Sequence, residues 1–151
     1  MTYYEKKIEE ATEKGAHVHE VRLQRNSGLI MDNTILINKK LREREKVGIL
    51  GEEVGHHETS AGDILNYDDP NSWKQEARAR AYAYDFTLGL DKIVSAWSAG
   101  CRNIYEMAEL LDCTEFFLRD ALDRYHEKYG ISTRFKEYII YFEPCLRVER
   151  A

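Results

Sequence analysis

The chain has 151 residues, 43% hydrophobic and 32% charged, with a formal net charge of −5 and a pI near 5.6. That is the composition of an ordinary soluble globular protein, long enough to bury a core without disulfides. The acidic balance argues against a protein held on nucleic acid by a general basic field, although it leaves room for a local basic patch. No long apolar run is present. Met1-Thr2-Tyr3-Tyr4-Glu5 opens a charged, helix-like segment rather than a signal peptide, so a cytoplasmic protein without membrane contact is expected. Cys101, Cys113 and Cys145 are odd in number, far apart and form no C-x-x-C pair, which points to free thiols rather than a zinc ribbon or disulfide framework.

Residues 3–15 read as a helix, with Tyr4, Ile8 and Ala11 on one stripe and Gly15 as its stop. Val18 to Leu23 alternates as an edge strand does. Gly28-Leu29-Ile30-Met31 and Thr34-Ile35-Leu36-Ile37-Asn38 flank Asp32-Asn33, which predicts a β-hairpin. Lys39 to Glu58 has helical spacing, and the turn-rich residues 59–72 read as a loop. Helices are expected from Trp73 to about Thr87 and from Asp91 to Ala99, with a break at Gly100. Two more, Asn103 to Leu111 and Thr114 to Tyr129, meet across a Leu-Asp-Cys-Thr turn, with Thr114 as N-cap and Gly130 as stop. The tail from Phe135 to Val148 reads as one final strand. Strands followed by helices give an α+β fold.

The chemistry concentrates in Gly51-Glu52-Glu53-Val54-Gly55-His56-His57. A zincin helix carries His-Glu-x-x-His: two imidazoles one turn apart hold Zn²⁺, and the Glu beside the first activates the attacking water. Here Glu53 and His56 occupy the Glu and second His positions, and Glu52 stands where the first His belongs. At about 100° per residue, Val47, Leu50 and Val54 face a core, while Glu52, Glu53 and His56 fall on the opposite side. Glu52 and His56, four residues apart, can converge on one ion. His57 lies about 100° away from His56 on a regular helix, outside their reach. A solvated polar face is the bland alternative. Glu76 offers a further ligand, because Ala79 and Ala83 follow it at single-turn spacing and small residues let two helices approach closely.

On these residues the chain resembles the ImmA/IrrE family of small zincin-like metallopeptidases of phages and integrative elements. Its members carry a β-hairpin, a His-Glu-x-x-His helix and a second helix with Glu-x-x-Ala-x-x-aromatic-Ala. The matching stretches are Gly28–Asn38, Glu52–His56 and Glu76/Ala79/Tyr82/Ala83, and the charged lead-in Asn38–Lys46 is similar too. A phage-encoded branch carries Glu-Glu-x-Gly-His-His, as this chain does. The resemblance covers residues 1–90 and extends less specifically to the later helices.

The resemblance implies a zincin-like fold, with a small antiparallel sheet packed on a helical bundle. Residues 1–90 would form the metallopeptidase core and residues 91–151 a helical extension with a C-terminal strand, in one compact unit. It implies Glu53 as general base, His56 and Glu76 as metal ligands with Glu52 as substitute ligand, and zinc as cofactor. Two carboxylates and one imidazole offset the full charge of Zn²⁺, which weakens the activation of water, and oxygen ligands make Mn²⁺ more competitive. The partner implied is a protein substrate, a phage-type helix-turn-helix repressor. The alternative is a non-catalytic regulator that binds its partner through the same scaffold.

Other residues carry weaker signals. His17 and His19 share one face of a strand, as a metal pair or as exposed strand histidines. His126 reads as solvated, and Tyr82 is a candidate oxyanion donor. Residues 105–118 resemble a helix-turn-helix, but Glu115-Phe116-Phe117 puts an acid and aromatics where a DNA reader needs polar and basic side chains. A protein-docking helical hairpin is the better reading, and direct nucleic-acid binding is not expected.

Overall fold

The computed structural model describes residues 1–59 and 72–151. Most of the expected 59–72 loop lies outside the described residues. The fold is α+β, and the chain divides into two compact units, Met1–Thr87 and Leu88–Ala151.

The first unit opens with helix α1, Tyr3–Glu13. Thr2 caps it, its hydroxyl accepting from the Glu5 amide at 3.1 Å. The helix ends at Gly15, whose φ of 95° only glycine adopts freely, with the Ala16 amide returning to the Ala11 carbonyl at 3.1 Å. Strands β1 (His17–Val21), β2 (Gly28–Met31) and β3 (Thr34–Asn38) form a sheet of order β1-β3-β2. The hairpin β2–β3 turns at Asp32, φ 54°, as the sequence predicts.

The expected small antiparallel sheet holds for the β2–β3 hairpin and is corrected at its edge. The edge strand β1 runs parallel to β3, His17 opposite Thr34 and Val21 opposite Asn38. The 22–27 segment makes this possible by carrying the chain back: the Asn38 side-chain amide donates to the Leu23 and Asn26 carbonyls at 3.0 and 3.1 Å and fastens it.

Helix α2, Glu43–Thr59, lies on the inner face of this sheet. Ile35 and Ile37 from β3, Tyr4 and Ala11 from α1, and Val47, Leu50 and Val54 from α2 form one buried cluster. Truncating a side chain such as Leu50 to Ala would cost about 2–5 kcal/mol. Helix α3 runs Ser72–Leu88.

The second unit carries α4 (Leu90–Ser98), α5 (Ile104–Leu110) and α6 (Glu115–Tyr129). Asn103 caps α5 and Thr114 caps α6, their side-chain oxygens accepting from the Glu106 and Phe117 amides at 2.8 and 3.1 Å. The Tyr125 hydroxyl donates to the Leu88 carbonyl at 3.1 Å. The single C-terminal strand expected from Phe135 to Val148 is also corrected. Three short strands, β4 (Ser132–Phe135), β5 (Tyr138–Tyr141) and β6 (Arg147–Arg150), form an antiparallel sheet. Cys101 and Cys113 are buried and Cys145 is exposed, and none of the three forms a disulfide among the described residues. Among the described residues no helix is long and apolar enough to cross a membrane.

Candidate functional site

Helix α2 carries three kinds of face rather than two. Val47, Leu50 and Val54 point into the core, as the wheel predicts. Beside them Gly48, Gly51 and Gly55 are buried as well. A Cβ at Gly51 would stand 2.8 Å from the Thr87 methyl and 3.4 Å from the Ala83 side chain, and one at Gly55 would collide with the Ala79 carbonyl. The small residues of α3 thus meet a glycine stripe on α2. With no Cβ on α2 and only methyl side chains at Ala79 and Ala83, the two helices come into near backbone contact at Gly55.

That approach sets the site. It brings Glu76 of α3 to His56 of α2, with Nε2 and Oε2 3.7 Å apart. Glu52 lies one turn before His56 on the same face, near enough to both to feel their charges and that of Arg80. On the other flank of α2 the start of β2 covers Glu53. A Cβ at Gly28 would lie 3.2 Å from Glu53 Cγ and 3.3 Å from its Oε1. The polar face is therefore half-buried between α3 and the hairpin rather than fully solvated.

Burial has electrostatic consequences. The Glu53 carboxyl is pushed up from 4.5 to about 7, mainly by loss of hydration and further by the charges of Glu52 and Glu76. Burial also raises Glu52, opposed by Arg80 and His56 and assisted by Glu76. The His56 side chain is only 12% exposed. Its Nδ1 is buried with no hydrogen-bond partner among the described residues, a deficit that costs about 1–3 kcal/mol. Its Nε2 is too far from Glu76 for a hydrogen bond.

The structure brings together all four residues singled out in the sequence: Glu52, Glu53, His56 and Glu76. Two nitrogen or oxygen ligands on a tetrahedral ion stand about 3.4 Å apart, close to the 3.7 Å between His56 and Glu76. In chemistry and in this spacing the donors fit a divalent cation. Among the described residues, however, no group of three or more His, Cys, Asp or Glu side chains is gathered tightly enough to hold an ion.

The remaining candidates separate from this centre. His57 turns away from His56, as the helical spacing predicts. Its Nδ1 lies 3.0 Å from the Glu58 carboxylate and its Nε2 3.0 Å from the Asn33 side-chain oxygen, tying the hairpin turn to α2. Tyr82 stacks on Phe86 with ring centroids 6.2 Å apart and lies beside the Lys14 ammonium, whose pKa it raises. His17 and His19 are exposed on the outer face of β1. His126 is paired with Glu143 at 2.5 Å.

Gly28, Gly51, Gly55, Arg80 and Asn33 shape the site and escaped the reading of the sequence. The signal for two of them was present: Gly51 and Gly55 repeat at the same four-residue interval as Ala79 and Ala83. Comparison with protein-family models, with curated proteins and with solved structures found no match for this chain.

Proposed function

We propose that this chain is a metal-dependent, zincin-like peptidase of the ImmA/IrrE type. It would act in the cytoplasm on a helix-turn-helix repressor of a phage or integrative element. The observation that carries the reading is the Glu53 carboxyl. It is half-buried under the start of β2 within reach of the Glu52 and Glu76 charges, and its pKa, raised to about 7, is the value a general base needs to exchange protons near neutrality.

Glu53 takes a proton from the attacking water and returns it to the departing amine. The hairpin strand over Glu53 keeps bulk water from the carboxyl and so maintains its basicity. Glu52, His56 and Glu76 would hold Zn²⁺ or Mn²⁺, which supplies Lewis-acid polarisation of the scissile carbonyl.

The test uses purified protein with a helix-turn-helix repressor co-expressed as substrate. Glu53→Gln should keep the metal content of the parent, measured by elemental analysis, and produce no repressor fragments by mass spectrometry. Undiminished cleavage by that variant overturns the mechanism.

A second reading, a non-catalytic regulator on the same scaffold, is favoured by one observation: no three-donor group is gathered among the described residues. It expects neither stoichiometric Zn nor Mn, no rise in melting temperature when either is added, and an intact repressor in a stable complex.

A further inference from the structure

We propose that the α5–α6 pair of the second unit is a docking surface for a cationic, amphipathic segment of a partner protein, with Phe116 as its anchor. The two helices already bury Met107, Ala108, Leu111, Leu118 and Ala121 on their inner sides. Nothing in that core calls for apolar side chains outside. Yet Tyr105 is 64% exposed, Leu110 53% and Phe116 76%. Leu110 ends α5 and Phe116 lies in the first turn of α6, so these two side chains flank the α5–α6 corner, while Tyr105 stands at the opposite end of α5.

The corner is fixed in shape. Asn103 and Thr114 cap their helices, the Cys113 amide returns to the Ala108 carbonyl at 3.1 Å, and Asp112 holds the turn at φ 53°. A rigid apolar corner loses little freedom on binding, which favours its use as a docking site.

Charge selects the partner. Residues 103–127 hold seven acidic side chains against two arginines. Glu106, Glu109 and Glu115 are exposed around the apolar group. One of the two arginines, Arg119, is engaged by Glu115 at 3.9 Å. Phosphate-rich partners, whether duplex nucleic acid or an anionic lipid surface, are repelled by this rim. A segment that offers an apolar face flanked by Lys and Arg is attracted by the acids and buries the aromatics. The surface serves this purpose whether or not the first unit cuts peptide bonds.

The whole ¹⁵N-labelled chain is titrated by NMR with a designed helix of Leu and Lys, with the same helix carrying Glu for Lys, and with a short DNA duplex. The Leu/Lys helix should shift amide signals confined to residues 104–119, and added salt should weaken the effect. Phe116→Ser should raise its Kd by about tenfold or more, whereas Glu9→Lys with Glu13→Lys on α1 should leave it within about twofold. Phe116 is solvent-facing, so its variant should keep the parental melting temperature; Leu110→Ser serves as the second variant if it does not. Equal response to the Glu-bearing helix, shifts spread over the acidic surface, or insensitivity to both apolar variants overturns the proposal. Shifts of the same signals by DNA overturn it in favour of a nucleic-acid surface.

Discussion

Replacing Glu53 by Gln should make the protein more stable at alkaline pH, and the size of the gain follows from the burial of this one carboxyl. In the unfolded chain Glu53 titrates near 4.5, and in the fold at about 7. Between those values the folded state holds a proton that the unfolded state has lost, so stability falls as pH rises from about 4.5 to 7 and is level beyond. At about 1.4 kcal/mol per pH unit, a gap of about 2.5 amounts to about 3 kcal/mol. Gln reproduces the shape of the protonated acid and carries no charge at any pH. The two proteins should therefore be about equally stable near pH 4.5. At pH 8 the variant should lead by about 3 kcal/mol, or on the order of 10 °C in Tm. Urea unfolding of both proteins from pH 4.5 to 8.5, in chelator to keep the site free of metal, measures the difference directly. Glu52, whose pKa is also raised, contributes a slope to both curves, and because its charge is one cause of the Glu53 shift the difference reports the two carboxyls as a coupled pair. Parallel curves would refute the burial of Glu53 under β2.

Further outcomes follow from neighbouring contacts. Gly55→Ala should destabilise by about 1–3 kcal/mol in thermal unfolding because its methyl would meet the Ala79 carbonyl; without α3 packed there, the same change would stabilise α2 by up to about 1 kcal/mol through helix propensity, so the sign decides. His57→Ala removes the link from α2 to Asn33 and should cost about 0.5–1.5 kcal/mol per lost hydrogen bond, with faster amide hydrogen exchange at the hairpin turn. Zn²⁺ or Mn²⁺ at about 100 times its Kd should stabilise the parent by about 2.7 kcal/mol in a calorimetric scan, and Glu76→Ala should abolish most of that gain. Thr114→Ala should cost about 1 kcal/mol by chemical denaturation, through loss of the α6 cap.

The parts legible in the sequence are those governed by neighbours in the chain. Gly28–Met31 and Thr34–Asn38 announce a hairpin because two β-branched runs flank an Asx pair. Asn103, Thr114 and Gly130 mark helix ends because capping is a matter of three or four residues. Less legible are features decided at a distance. Period-two alternation identifies β1 as an edge strand, but its parallel match to β3 depends on how residues 22–27 return, which alternation does not encode. The tail looked like one strand because it lacks glycine. Its first turn uses Lys136 at φ 54°, a conformation that carries no warning in a lysine codon.

The centre illustrates the same division more sharply. A helical wheel treats α2 alone and assigns Glu52, Glu53 and His56 to the side away from the core, where water would keep the carboxyls at ordinary acidity. What changes their chemistry is contributed by other elements: α3 through Ala79 and Ala83, and β2 through Gly28. Gly51 and Gly55 of α2 permit the first approach and Gly28 of β2 the second, so residues without side chains shape the protonation of those with them.

Glu52 is where these effects meet. Its neighbour Arg80 and the imidazole of His56 favour its charged form, while burial and Glu76 oppose it. Arg80 can thus neutralise Glu52 as a simple ion-pair partner, a role that asks nothing of a metal. As a ligand Glu52 would have to exchange that partner for the gap between His56 and Glu76. The two roles separate in one substitution. Arg80→Gln leaves the ligand carboxylates intact and removes the competing cation. If Glu52 is a ligand, the variant binds Zn²⁺ more tightly; if Glu52 serves only Arg80, affinity is unchanged and the variant loses stability instead. An exposed arginine on α3 thereby tests the residue that departs from the zincin pattern while leaving every carboxylate and imidazole of the site in place.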